Sequence, residues 1–197
     1  MNIFSRSNVA ILIAGICLAF LPIGARAAGL IGTSVTGKLM FASNPTNYYD
    51  PANGFVPASG YLNAAGPTVT VAAPAVEFGF DDGVNLDTVN FSASQFTIED
   101  VVEQGPFNAP FTMTFTDSAF AGQTFVKATD FFPGGLTYSV SGTTLTVNWA
   151  GGAVTAGDDY TSTFTVRVVP EPSTWAAVAM GMGGLALVLR CKRRVTV

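Results

Sequence analysis

The side chains of this chain that are able to do chemistry are almost all carboxylates. There is no histidine, which removes Ser-His-Asp and Cys-His catalysis and histidine metal sites together. The two cysteines, Cys17 and Cys191, lie near the two ends, so the long stretch between them has neither thiol chemistry nor a disulfide. Glu77, Asp81, Asp82, Asp87, Glu99, Asp100 and Glu103 remain. Two carboxylates at a suitable separation hydrolyse glycosides, but acidic surfaces hold many such pairs. No catalytic residue is assigned, and the chain is expected not to be an enzyme; a carboxylate-dependent glycan hydrolase ranks last among its readings. The densest acidic run is Asp81-Asp82-Gly83-Val84-Asn85-Leu86-Asp87. In it Asp81, Asp82, Asn85 and Asp87 are candidate calcium ligands, because a hard cation takes several carboxylate and carbonyl oxygens gathered by a tight turn. The spacing is not that of an EF-hand, and the commoner reading is an acidic turn whose Asp and Asn side chains bond their own backbone. No other metal or cofactor is expected.

The elements that must position these groups read as β-structure. Short segments rich in Val, Thr and Phe are separated by Gly, Pro, Asn and Asp. Apolar residues alternate with polar ones in Phe111–Phe115, Leu136–Val140, Leu145–Trp149 and Phe164–Val168, so that side chains two apart share one face of a strand. Ser141-Gly142 between the second and third of these suits a tight turn joining an antiparallel hairpin. Further strands are predicted over Thr33–Phe41, Thr68–Val71, Val76–Phe80, Gln95–Val102 and Thr124–Ala128. Nine or ten such strands predict an all-β fold, an antiparallel two-layer β-sandwich wound like a jelly roll, with a closed barrel as the alternative. The turn-rich loop from Ser43 to Gly66 carries Tyr48, Tyr49, Phe55 and Tyr61. These rings are expected to cap one end of the core; the alternative, a carbohydrate-binding module, has them stacking against sugar rings.

Both ends of the 197-residue chain read as processing segments. Arg6, an apolar stretch from Val9 to Ile23, and Ala25-Arg26-Ala27 ahead of Ala28 follow the order of a secretory signal peptide, residues 1–27. The secretion translocon and signal peptidase are then its first partners. The exported domain, residues 28–169, holds Lys38, Lys127 and Arg167 against 12 acidic residues, a formal charge of −9. Such a surface repels phosphate backbones, so no nucleic-acid partner is expected.

Residues 170–197 form a separate unit, because Pro170 and Pro172 cannot continue a sheet ladder. After Pro170-Glu171-Pro172 comes an uncharged run from Trp175 to Leu189, with Leu185 and Leu187 near its end, then Arg190-Cys191-Lys192-Arg193-Arg194. The 15 residues span about 22 Å as a helix, short of a hydrocarbon core about 30 Å thick. Interfacial Trp175, extension through Ser173 and Thr174, and snorkelling cations make up the difference, which predicts a single transmembrane helix over 174–189. Arg190, Lys192, Arg193 and Arg194 act as a cytoplasmic basic stop, leaving the body on the far side of the inner membrane.

Val169-Pro-Glu-Pro-Ser-Thr-Trp175, the apolar run and the basic terminus together resemble the PEP-CTERM sorting signal of Gram-negative bacteria, a tail handled by exosortase. The resemblance implies recognition of Pro170, Glu171 and Pro172 by a membrane-embedded cysteine protease or transpeptidase, and cleavage nearby. It further implies release or transfer to the cell surface, in systems associated with exopolysaccharide and biofilm. The body is similar to a group of small β-rich PEP-CTERM proteins through Asn44-Pro-Thr-Asn-Tyr-Tyr-Asp-Pro-Ala-Asn-Gly54 and Val76-Glu-Phe-Gly-Phe-Asp-Asp82. That second resemblance implies fold and sorting only.

Overall fold

Alternating apolar and polar residues build ten strands: β1 (Ser34–Phe41), β2 (Thr68–Thr70), β3 (Phe78–Asp81), β4 (Asn85–Phe91), β5 (Gln95–Val102), β6 (Phe111–Thr116), β7 (Gln123–Asp130), β8 (Leu136–Ser141), β9 (Thr144–Trp149) and β10 (Asp159–Val168). The computed structural model describes residues 29–42, 44–104 and 109–168. The leader expected at 1–27, and the expected sorting tail with Pro170, Glu171, Pro172, Trp175, Leu185, Leu187, Leu189 and the cations from Arg190 to Arg194, lie outside the described residues. Among the described residues no helix is long and apolar enough to cross a membrane.

The strands form two five-stranded sheets in the orders β2-β1-β6-β9-β8 and β3-β4-β5-β10-β7, with every strand pairing antiparallel. The sheets remain separate and each keeps two edges, so the fold is a sandwich and not a closed barrel. The hairpin expected at Ser141-Gly142 pairs β8 with β9, Ser141 opposite Thr144, and Gly142 takes φ 59°. The winding differs from a jelly roll. Tight turns after β3 and β4 make β3, β4 and β5 a meander within one sheet, and β10 joins beside β5, whereas a Greek key returns its fourth strand to the first.

One strand escapes the pattern that finds the others. β4, Asn-Leu-Asp-Thr-Val-Asn-Phe, carries Asn and Asp at positions where a strand normally has apolar or β-branched residues, so its first half reads as a turn. β10 is also longer than its clear alternation, because Asp159 and Tyr160 are held opposite Val101 and Asp100 of β5.

Aromatic rings fill the space between the sheets. Phe96 and Phe164 lie flat against each other at 4.4 Å on neighbouring strands, while Phe78 and Phe91 meet Phe115 of the opposite sheet at 5.5 and 5.3 Å. Gly37 of β1 makes room for this: a Cβ there would sit 2.4 Å from the Phe78 ring. Rings of this size bury enough area to hold a sandwich without a disulfide.

The loop between β1 and β2 is ordered by two asparagines. Asn47 accepts from the Leu39 and Tyr49 amides and donates to the Gly37 carbonyl, all at 3.1 Å. Buried Asn63 does the same for Gly79 of edge strand β3, accepting its amide and donating to its carbonyl at 3.0 Å. Each side-chain amide thus stands in for a neighbouring strand's peptide group, which satisfies backbone that the sheet leaves open. Glu77 straps the next loop, its carboxylate accepting from the Ala72 and Phe91 amides at 3.0 and 2.7 Å. Spending Glu77 in this way is why β3 starts at Phe78 and not at Val76.

Candidate functional site: a buried acidic patch between the sheets

The inner face of the β3-β4-β5-β10-β7 sheet changes character along the strands. At one end β4 and β5 point Val89, Phe91, Phe96 and Ile98 inward; at the other, the same faces present Asn85, Asp87 and Asp100. Asp87 lies directly opposite Asp100, and Asn85 opposite Val102. The Glu103 amide donates to the Val84 carbonyl and the Ser92 amide to Gln95. These bonds put the hydrogen-bonded pairs on the even-numbered residues of β4, so Asp87 and Asp100 occupy a non-hydrogen-bonded pair. There Cα atoms approach to about 4.5 Å and side chains are closest. Like charges so placed repel.

These groups are well removed from water. Asn85 and Asp87 are 2 % exposed and Asp100 3 %. One oxygen of each, Oδ1, is buried without a hydrogen-bond partner, a costly arrangement for acceptors in a low-dielectric interior. The row across the sheet is Phe80, Asp87, Asp100, Tyr160, so an aromatic ring flanks the pair on each side. Burial, then Asp100, then Asp82 push the Asp87 carboxyl well above the usual carboxylate range. Asp100 is pushed up to about 6 by burial, then by Asp82 and Asp159. Tyr49, fully buried, has its phenol raised by burial and then by the same two carboxylates, Asp87 and Asp100. No cation answers them: among the described residues the ion pair is Lys127 with Asp130, on β7.

The four residues singled out as calcium ligands in the sequence therefore do not act as one set. Asp81 and Asp82 are exposed and serve the turn, Asp81 accepting from the Gly83 amide at 2.8 Å and Asp82 from the Val84 and Asn85 amides at 2.9 and 2.8 Å. That is the self-bonded acidic turn. Asn85 and Asp87 instead enter the strand and face inward, where their neighbour is Asp100, fifteen residues further along than Asn85. It is the β4–β5 register, Asp87 opposite Asp100, that brings them together. The only sequence signal was a polar residue at an inward position of an alternating strand, as at Asp100 after Phe96 and Ile98. Of the other carboxylates, Glu99 accepts from the Thr88 hydroxyl at 3.1 Å, and Glu77 holds its loop.

The loop aromatics turn toward the core. Tyr49 is fully buried and packs on Phe78 at 5.1 Å, Tyr48 meets Phe41 and Phe80 edge-on at 5.2 and 5.5 Å, and the Tyr61 ring covers Gly79. Phe55 alone of the four is as much as 36 % exposed. A shallow groove of about 340 Å³ opens on the outer side of the other sheet, lined by Thr112, Thr137, Asn148 and Trp149. The Trp149 ring is buried there, its indole N–H donating to the Pro133 carbonyl at 2.8 Å, so it presents no face for stacking. No family model matches this chain, and neither does any curated protein or solved structure.

Proposed function

We propose that this chain is an exported protein, sorted by its C-terminal segment to the cell surface or extracellular matrix. There its acidic β-sandwich has a structural or adhesive role in exopolysaccharide or biofilm. The observation that carries this reading is the ordered pattern of Pro170-Glu171-Pro172, the uncharged run to Leu189 and the basic cluster from Arg190 to Arg194. In it, residues 1–27 are a leader removed after translocation, 174–189 form a single helix that anchors the chain transiently in the inner membrane, and exosortase acts near the proline motif.

Two features of the body favour a structural role. Its core is packed from aromatic rings without cysteine, and its charge of −9 keeps an exposed surface hydrated. The burial of Tyr49 and the partial burial of Tyr48 and Tyr61 against the core leave these loop rings less free to stack on sugars, which supports the structural reading over a sugar-binding module. Glu171→Ala in the producing cell tests the sorting step. Immunoblots of membrane, surface and medium fractions should show a larger, membrane-retained form; an unchanged mature size and unchanged surface display would sink the proposal.

A further inference from the structure

We propose that Asn85, Asp87 and Asp100 supply the protein ligands of a calcium site at the end of the sandwich where β4 pairs with β5. Three observations converge on it. Asp87 and Asp100 face each other across a close pair, each with a buried oxygen that has no hydrogen-bond partner. Asn85 adds a third such oxygen two residues from Asp87 on the same face of β4. All three unpartnered atoms are acceptors, and the ion pair found among the described residues lies on another strand.

Two buried, adjacent carboxylates have two ways of avoiding a full double charge: sharing a proton, or binding a cation. A shared proton answers the two carboxylates but leaves the Asn85 amide oxygen, which is uncharged and titrates with nothing. A divalent cation answers all three. Among the described residues no three carboxylate, imidazole or thiolate side chains converge on a metal, and the set here is two carboxylates and an amide. Zinc and other nitrogen- or sulfur-seeking metals have no ligands in it. Calcium, which takes 6–8 oxygens in irregular arrays and accepts amide and main-chain carbonyls and water, suits it; magnesium demands a stricter octahedron. The exposed carboxylate of Asp82, close enough to act on both Asp87 and Asp100, draws a cation toward the patch. Millimolar calcium outside the cell belongs to the export reading, but binding itself does not depend on it.

The full chain, purified in mild detergent and stripped with chelator, is titrated with calcium by calorimetry and thermal unfolding. Calcium should bind with Kd of about 10⁻⁴–10⁻³ M, the range of extracellular modules. At 10 mM it should raise Tm by roughly 3–10 °C, with a smaller response to magnesium. Asp87→Asn and Asp100→Asn should each lose most of the calcium response, while Asp81→Asn, in the outer turn, should keep it. Both neutral variants relieve repulsion and are expected to fold, which circular dichroism checks. No heat and no Tm shift in the wild-type chain would overturn the site, as would full calcium binding by the folded Asp87→Asn and Asp100→Asn variants. Terbium emission excited through tyrosine gives a second readout: buried Tyr49, whose phenol feels both carboxylates, should sensitise a bound ion. Emission surviving in the Asp100→Asn variant would count against the assignment. None of these outcomes depends on processing at Glu171, so the sorting proposal stands or falls separately.

Discussion

The two halves of one sheet's inner face have opposite energetics. Around Phe91, Phe96 and Phe164 the face is continuous aromatic surface packed on Phe115, Phe120 and Phe125 of neighbouring elements. A few residues along the same two strands, Asn85, Asp87 and Asp100 occupy equivalent inward positions and leave three acceptor oxygens unanswered. The strands, register and depth are alike. Only the side chains differ. The apolar half follows from area removed from water; the polar half costs stability unless a proton or a cation answers its oxygens.

Truncating the apolar half should have the largest effect. Phe96→Ala removes a ring stacked on Phe164 and in contact with Phe91 and Phe125, and is expected to cost about 3–5 kcal/mol in urea unfolding. A loss under 1 kcal/mol would mean that the aromatic end does not carry the core.

The polar half should respond in the opposite direction and with pH. The folded chain holds the Asp100 proton up to about pH 6, whereas an unfolded aspartate releases it near pH ~4. The stability linked to the Asp100 proton is therefore fully present below about pH 4 and is lost as pH rises through about 6. Measured in chelator, the urea midpoint of the wild-type chain should fall across that window. Asp100→Asn should remove the part of the fall centred near pH 6, leave the part that buried Asp87 contributes, and gain about 1–3 kcal/mol at pH 7. A wild-type midpoint that rises from pH 4 to 7 would show that the pair is ionised and compensated by other means.

The smallest effect belongs outside both halves. Phe131, 68 % exposed where β7 leads toward β8, contributes little to either, and Phe131→Ser should change stability by less than about 0.5 kcal/mol in the same assay. A larger loss would show that this ring is covered.

How far the residues alone foretold these two halves follows from the same contrast. Strands with clean alternation declared themselves: Gln95–Val102 has the predicted bounds, and Leu145–Trp149 differs from β9 by one residue. β4 did not, because Asn85, Asp87 and Asn90 belong to the residue types that mark turns. β4 carries two of the three patch residues, so the strand that these residue types hid is also the one whose register sets Asp87 opposite Asp100. The jelly-roll winding also failed, since alternation tells which face of a strand is buried but not which strand lies beside it.

Composition and periodicity by themselves determined that the body is β-structure, acidic and without thiol or imidazole chemistry, because these are properties of residue types and of neighbours two apart. The loop rings, too, were expected to cap the core, as hydrophobic area alone suggests. Tertiary structure decided which carboxylates meet. Asp87 and Asp100 are thirteen residues apart in the chain and opposite each other in the sheet. The energy of that encounter depends on a register and a burial that exist only once two strands pair and a second sheet closes over them.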